Sequence, residues 1–138
     1  MAEEYMQLDV VTPEKAVLSR KVEEVVAPGS IGEFGVMPGH TPFLTSLKAG
    51  RLVARTMDRD IHLAVGGGFA EVTGDRVIIL AETAQMAEDI DVDQAQKDLD
   101  IAQNKLSSLD KEDPEFQKWT DRATLAEVCI RVAQDYES

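Results

Sequence analysis

A chain of 138 residues with 43% hydrophobic content is long and apolar enough for one ordinary core, or a small domain with an appendage, and excludes bulk disorder. Its net charge of -12 sets it against the phosphate backbone of nucleic acids and against anionic lipid headgroups, while a basic protein partner remains compatible. No run approaches the ~20 apolar residues of a membrane span, so any membrane contact is expected through partner proteins.

The acidic start Met1-Ala2-Glu3-Glu4-Tyr5 lacks the basic-then-apolar layout of a signal peptide. Cys129 is the single cysteine and has no internal partner, which points to a reducing cytoplasmic home.

From Tyr5 to about Ala87 the chain reads as short strands. Met6, Leu8 and Val10 alternate with Gln7 and Asp9, and Ile61, Leu63 and Val65 alternate with His62 and Ala64, the period of strands with one buried face. The continuous run Val77-Ile78-Ile79-Leu80 predicts a strand buried on both faces. Turn signals recur at Thr12-Pro13, Pro28-Gly29, Lys48-Ala49-Gly50, Asp58-Arg59-Asp60 and Thr73-Gly74-Asp75. About eight to ten short strands of this kind make a β-sandwich or barrel. Between two of them, Gly32-Glu33-Phe34-Gly35-Val36-Met37-Pro38-Gly39-His40-Thr41-Pro42 is rich in helix breakers and predicts a tight surface loop presenting one imidazole.

The period changes after a short hinge at Ala87 to Asp91. Val92, Ala95, Leu99, Ala102, Leu106 and Leu109 form one helical stripe, and Phe116, Trp119, Ala123, Ala126, Ile130 and Ala133 form another. Between them Asp113 suits an N-cap and Pro114 the first helical position. The expectation is an α+β protein in two parts: a β-sandwich over residues 1–87 and an antiparallel α-helical hairpin over 88–138. The hairpin is the more acidic: residues 89–138 hold thirteen acids and six bases, net -7, and residues 1–88 hold thirteen and eight, net -5. Alanines along both stripes predict a thin seam and a hairpin that is marginal by itself.

Little in the chain supports bond chemistry. A hydrolase would need Cys129 with His40 or His62, but Cys129 lies on an apolar helix beside Glu127, an environment that raises a thiol pKa. Two histidines twenty-two residues apart do not make a metal site. Asp89, Asp91 and Asp93 lack the glycine of a calcium loop and suit a helix start. Gly66-Gly67-Gly68 precedes the strand-like Phe69-Ala70-Glu71-Val72, so a bulge or close backbone approach fits better than a phosphate loop. Residue types and spacing alone describe an interaction module.

The ordered set Leu8-Asp9-Val10-Val11-Thr12-Pro13, Gly35-Val36-Met37-Pro38-Gly39-His40-Thr41-Pro42-Phe43-Leu44, Leu47-Lys48-Ala49-Gly50, Gly67-Gly68-Phe69-Ala70-Glu71-Val72 and Val77-Ile78-Ile79-Leu80-Ala81 resembles the epsilon subunits of bacterial F-type ATP synthases, over essentially the whole chain. The resemblance implies a non-catalytic subunit of the central stalk of a machine that makes ATP from ADP using a proton gradient, peripheral on the cytoplasmic face of the inner membrane. Its implied partners are the gamma subunit, the loops of the rotor-ring c subunits and, when the hairpin extends, the catalytic alpha/beta head, whose ATP hydrolysis extension restrains. Glu33 and His40 match loop positions that face the ring and gamma.

Some members of that family bind ATP through Ile/Leu-Asp-x-x-Arg-Ala. Here Ile90, Asp91 and Ala95 match, with Arg122 and Arg131 on the second helix, but Gln94 replaces the arginine, and an amide lacks the cationic fork that suits a triphosphate. No cofactor is therefore assigned. A soluble nucleotide-sensing module is the alternative reading. Members of that family often carry a basic second helix that meets acidic segments of the catalytic subunits. Here Lys118, Arg122 and Arg131 stand against Glu115, Asp121, Glu127, Asp135 and Glu137, a net acidic helix that departs from the pattern and does not predict strong electrostatic inhibition.

Overall fold

A computed structural model describes residues 5–137. Eight strands are present among them: β1 (Met6–Val11), β2 (Ala16–Val22), β3 (Glu24–Gly29), β4 (Gly32–Val36), β5 (Phe43–Arg55), β6 (Asp60–Val72), β7 (Arg76–Ala81) and β8 (Ala84–Met86). They follow the path β2-β1-β7-β6-β5-β3-β4, with β8 also paired to β6. The count sits at the low end of the sequence expectation because β5 and β6 are each 13 residues long.

The alternating strands meet as predicted. Met6, Leu8 and Val10 join Leu52, Leu63, Val65, Val77 and Ile79 in the main core. Burial of such side chains contributes roughly 1.5–3 kcal/mol each and holds the layers together. Val77-Ile78-Ile79-Leu80, however, is buried on one face: Val77 and Ile79 are enclosed, whereas Leu80 is 53% exposed. Nor is the glycine-rich segment all loop. Gly32–Val36 pairs with Val25–Gly29 as strand β4, leaving only residues 37–42 irregular.

Gly66 to Gly68 form the corner where β6 changes partners. Residues 68–72 pair with β7, and residues 63–65 pair with β8. Gly68 has φ +134°, and a Cβ there would lie 2.0 Å from the carbonyl oxygen of Leu80. The corner therefore requires glycine, in keeping with the close backbone approach read from the sequence.

A single 3₁₀ turn, Ala87–Asp89, leads into helix α1 (Val92–Ser108), and helix α2 (Pro114–Glu137) returns antiparallel. Asp91 caps α1 by accepting the amide of Gln94 at 3.0 Å, and Asp113 accepts the amide of Glu115 at 2.9 Å. These are the caps the sequence predicts, each supplying an acceptor for a helix-end donor.

The hairpin lies folded against the sandwich, with α2 touching β5 and β6. A second core, Ala64, Ala87, Ala95, Val128, Cys129 and Val132, fills the seam. Helix α2 is thus buried on two sides: Ala123, Ala126 and Ala133 lie on the stripe read from the sequence, and Val128, Cys129 and Val132 line the sandwich. At its far end Asp135 accepts from Arg51 of β5, and the Tyr136 hydroxyl donates to Glu88 at 3.0 Å.

Candidate functional site

Three surfaces carry the candidate residues. The first is the outward face of β5, β6 and β7. Pairing places Leu44 beside Glu71 and Ile78, and Ser46 beside Phe69 and Leu80, with all these side chains on one face. Leu44, Phe69 and Leu80 are 69%, 56% and 53% exposed. Sequence reading missed this apolar band because alternation had marked only the inward residues. The signal was there in Val77-Ile78-Ile79-Leu80, where four apolar residues in a row leave two for the outer face.

His40 stands in the loop that leads into β5, at the end of the sheet beside the β6–β7 turn. Its Nδ1 lies 2.7 Å from the Thr41 carbonyl oxygen, and its ring centroid lies 5.2 Å from that of Phe43. Phe43 in turn meets Phe34 edge-on at 5.3 Å. The Gly39 amide donates to the Gly74 carbonyl at 2.7 Å, and Gly39 takes φ +86°, so the loop is pinned to the β6–β7 turn. The imidazole is presented on a stiff support, with no nucleophile beside it. Cys129 instead faces Gln85 in the hairpin seam, at 3.7 Å.

The second surface is a cavity of about 720 Å³ between sandwich and hairpin. It brings together Ile90, Asp91, Gln94, Ala95 and Arg122 of the candidate nucleotide residues. Its charge does not suit a triphosphate. Glu14, Glu82, Asp91 and Asp98 line it against Lys15 and Arg122. Asp91 is engaged in capping, and Gln94 Nε2 donates to Asp98 at 2.9 Å. The Arg122 guanidinium stacks over Trp119, 4.6 Å from the ring centroid. A group carrying several negative charges would meet mainly carboxylates here.

Burial, and then the charge of Asp98, push the Cys129 thiol above its ordinary value. The direction agrees with the sequence reading, but the neighbouring acid comes from α1 and is not Glu127.

Arg131 is not in that cavity. Nine residues separate it from Arg122, about two and a half helical turns, so the two side chains leave α2 on opposite faces. Arg131 lines the third surface, a cleft of about 540 Å³ between α2 and β5, with Glu33, Lys48, Arg51 and Thr124. The structure therefore separates two expected pairs. Arg131 parts from Arg122, and Glu33 lies in the α2 cleft while His40 packs on Phe43.

Among the described residues no cluster of three or more His, Cys, Asp or Glu could hold a metal ion, and no helix is long and apolar enough to cross a membrane.

Residues 5–87 match the family model described as ATP synthase, Delta/Epsilon chain, beta-sandwich domain. The chain is 48% identical over 128 residues to the ATP synthase epsilon chain of Anaeromyxobacter sp. (strain K), covering 93% of this chain and 97% of that one. It is 44% identical over 129 residues to the ATP synthase epsilon chain of Geobacter metallireducens, covering 94% and 92%. A chain of the Euglena gracilis mitochondrial ATP synthase, in a structure of OSCP, F1 and c-ring, superposes with a TM-score of 0.71 at 22% identity, covering 99% of this chain and 82% of that one.

Proposed function

We infer the function from one premise: this chain belongs to the ATP synthase delta/epsilon family, as an epsilon chain, a non-catalytic subunit. We propose that it is the stalk element of a proton-driven F-type synthase, linking a gamma subunit to the loops of the membrane rotor ring on the cytoplasmic face of the inner membrane. The observation that carries the proposal is the apolar band of Leu44, Phe69 and Leu80 on a chain of net charge -12. Exposed apolar side chains gathered on one sheet face favour a protein partner. His40 packs on Phe43, whose side chain faces the core and not the band, so a contact through His40 would lie at the end of the sheet, beside the β6–β7 turn. Glu33 lies toward the hairpin, so its part in a rotor contact would require a partner reaching past β4.

The sandwich of residues 1–87 is the docking unit in this reading, and residues 88–138 form the regulatory one. Folded down, α2 is fastened by Arg51–Asp135 and by Tyr136–Glu88, with Arg59 3.8 Å from Glu88. Release would free α2 to extend toward the catalytic head and restrain hydrolysis. The acidic cavity argues against control by tight ATP binding.

The test is co-purification and affinity measurement with the gamma subunit of the same synthase. Phe69→Asp combined with Leu80→Asp should weaken binding about thirtyfold or more, the cost of losing buried anchors, while the sandwich melts as before. Undiminished affinity would refute the docking surface. ATPase rates of the assembled head with the full chain and with a chain ending at Ala87 test the hairpin's restraint, and equal rates would remove it.

A further inference from the structure

We propose that the cleft between β5 and α2 binds a phosphate-class oxyanion, and that the bound anion clasps the hairpin to the sandwich. Lys48 and Arg51 reach this cleft from β5, and Arg131 reaches it from α2. Three cations thus border one cleft between the sheet and α2, in a chain whose net charge is -12. Lys48 and Arg131 form no ion pair among the described residues. Arg51 gives one terminal amine to Asp135, yet its Nε is closed to solvent and has no hydrogen-bond partner.

Asp135 already offsets Arg51 in part, which leaves Lys48 and Arg131 without an ion pair among the described residues and the Arg51 Nε without an acceptor. Like charges repel, and a buried donor without an acceptor is costly to maintain. A tetrahedral oxyanion remedies both, because guanidinium groups present planar forks that match its oxygens and an ammonium adds a point charge. The cleft of about 540 Å³ has room for inorganic phosphate with part of its hydration shell. Glu33 is the carboxylate among the lining residues and disfavours the most highly charged anions.

This site is distinct from the cavity around Gln94, since α2 lies between them. It is complete only when α2 is docked. An anion bound there therefore stabilises the folded-down hairpin by mass action, and hairpin release expels it.

The experiment uses the full chain and inorganic phosphate, with ionic strength held constant by chloride. Calorimetry should detect binding, and modification of Cys129, whose thiol is buried in the seam, should slow roughly tenfold at about ten times the dissociation constant. Lys48→Gln and Arg131→Gln should each weaken binding about tenfold, Glu33→Gln should tighten it, and Lys97→Gln on α1 should leave it unchanged. Absence of phosphate binding in the unmodified chain overturns the proposal. So does binding that is indifferent to both cation variants, or chloride slowing the thiol reaction equally well. The isolated chain is sufficient, so these outcomes stand apart from whether a gamma subunit binds the apolar band.

Discussion

Val132→Ala should loosen the hairpin without disturbing the sandwich. Val132 is 2% exposed and sits in the seam with Ala64, Ala87, Ala95, Val128 and Cys129. The substitution removes two methyl groups whose transfer to water is worth about 1.5 kcal/mol, and the partial cavity raises the cost to about 2 kcal/mol. If opening of the seam exposes Val132, the open fraction rises by that amount, roughly thirtyfold. Cys129 reports it directly. In the docked state the thiol is buried and its pKa raised, so little reactive thiolate is available. In the open state both restraints vanish, and modification by a disulfide reagent then proceeds at a rate proportional to the open population. The sandwich is followed in the same samples by its unfolding midpoint in denaturant. A modification rate within about twofold of the parent, or a midpoint that falls in step with the rate, would refute the idea of a separately opening hairpin.

Gly68→Ala should destabilise the sandwich by about 3 kcal/mol or more, because φ +134° and a Cβ position 2.0 Å from Leu80 oxygen leave no room for the side chain; urea unfolding checks it. Alkaline pH should release the hairpin. Burial and Asp98 raise the Cys129 thiol from 9.0, and the hydrogen bond to Glu88, followed by that carboxylate's charge, raises the Tyr136 phenol from 10.0. Docking favours the protonated form of both groups. Their contribution is therefore complete below those ordinary values and is lost as pH climbs through the raised ones. Seam opening, followed by hydrogen exchange of α2 amides corrected for intrinsic rates, should increase above about pH 9, and Cys129→Ser with Tyr136→Phe should flatten the profile.

The parts of this fold written in local pattern were legible. Period-two alternation located Met6 to Val10 and Ile61 to Val65, and Asp113-Pro114 marked the start of α2, because strands and caps follow from residues adjacent in sequence. The features fixed by distant contacts were not. Gly35 and Gly32 looked like loop punctuation until pairing with Val26 and Gly29 made them strand. Val128 and Val132 lay outside the stripe that faces α1, and only the presence of β6 shows why they are apolar. The candidate residues divide likewise. Ile90, Asp91, Gln94 and Ala95 fall together because they are close in sequence at the start of α1. Arg122 and Arg131 part because nine residues carry them to opposite faces of α2, a spacing already present in the sequence that grouping by charge overlooked.

The seam is made largely of alanine on the sandwich side and at the start of α1, with Ala49, Ala64, Ala87 and Ala95 meeting the valines of α2. Alanine surfaces are shallow. They offer no deep sockets in which a side chain could lodge. Two bodies joined in this way can part as whole units, with no rotamer having to be unthreaded and no hole left behind in either.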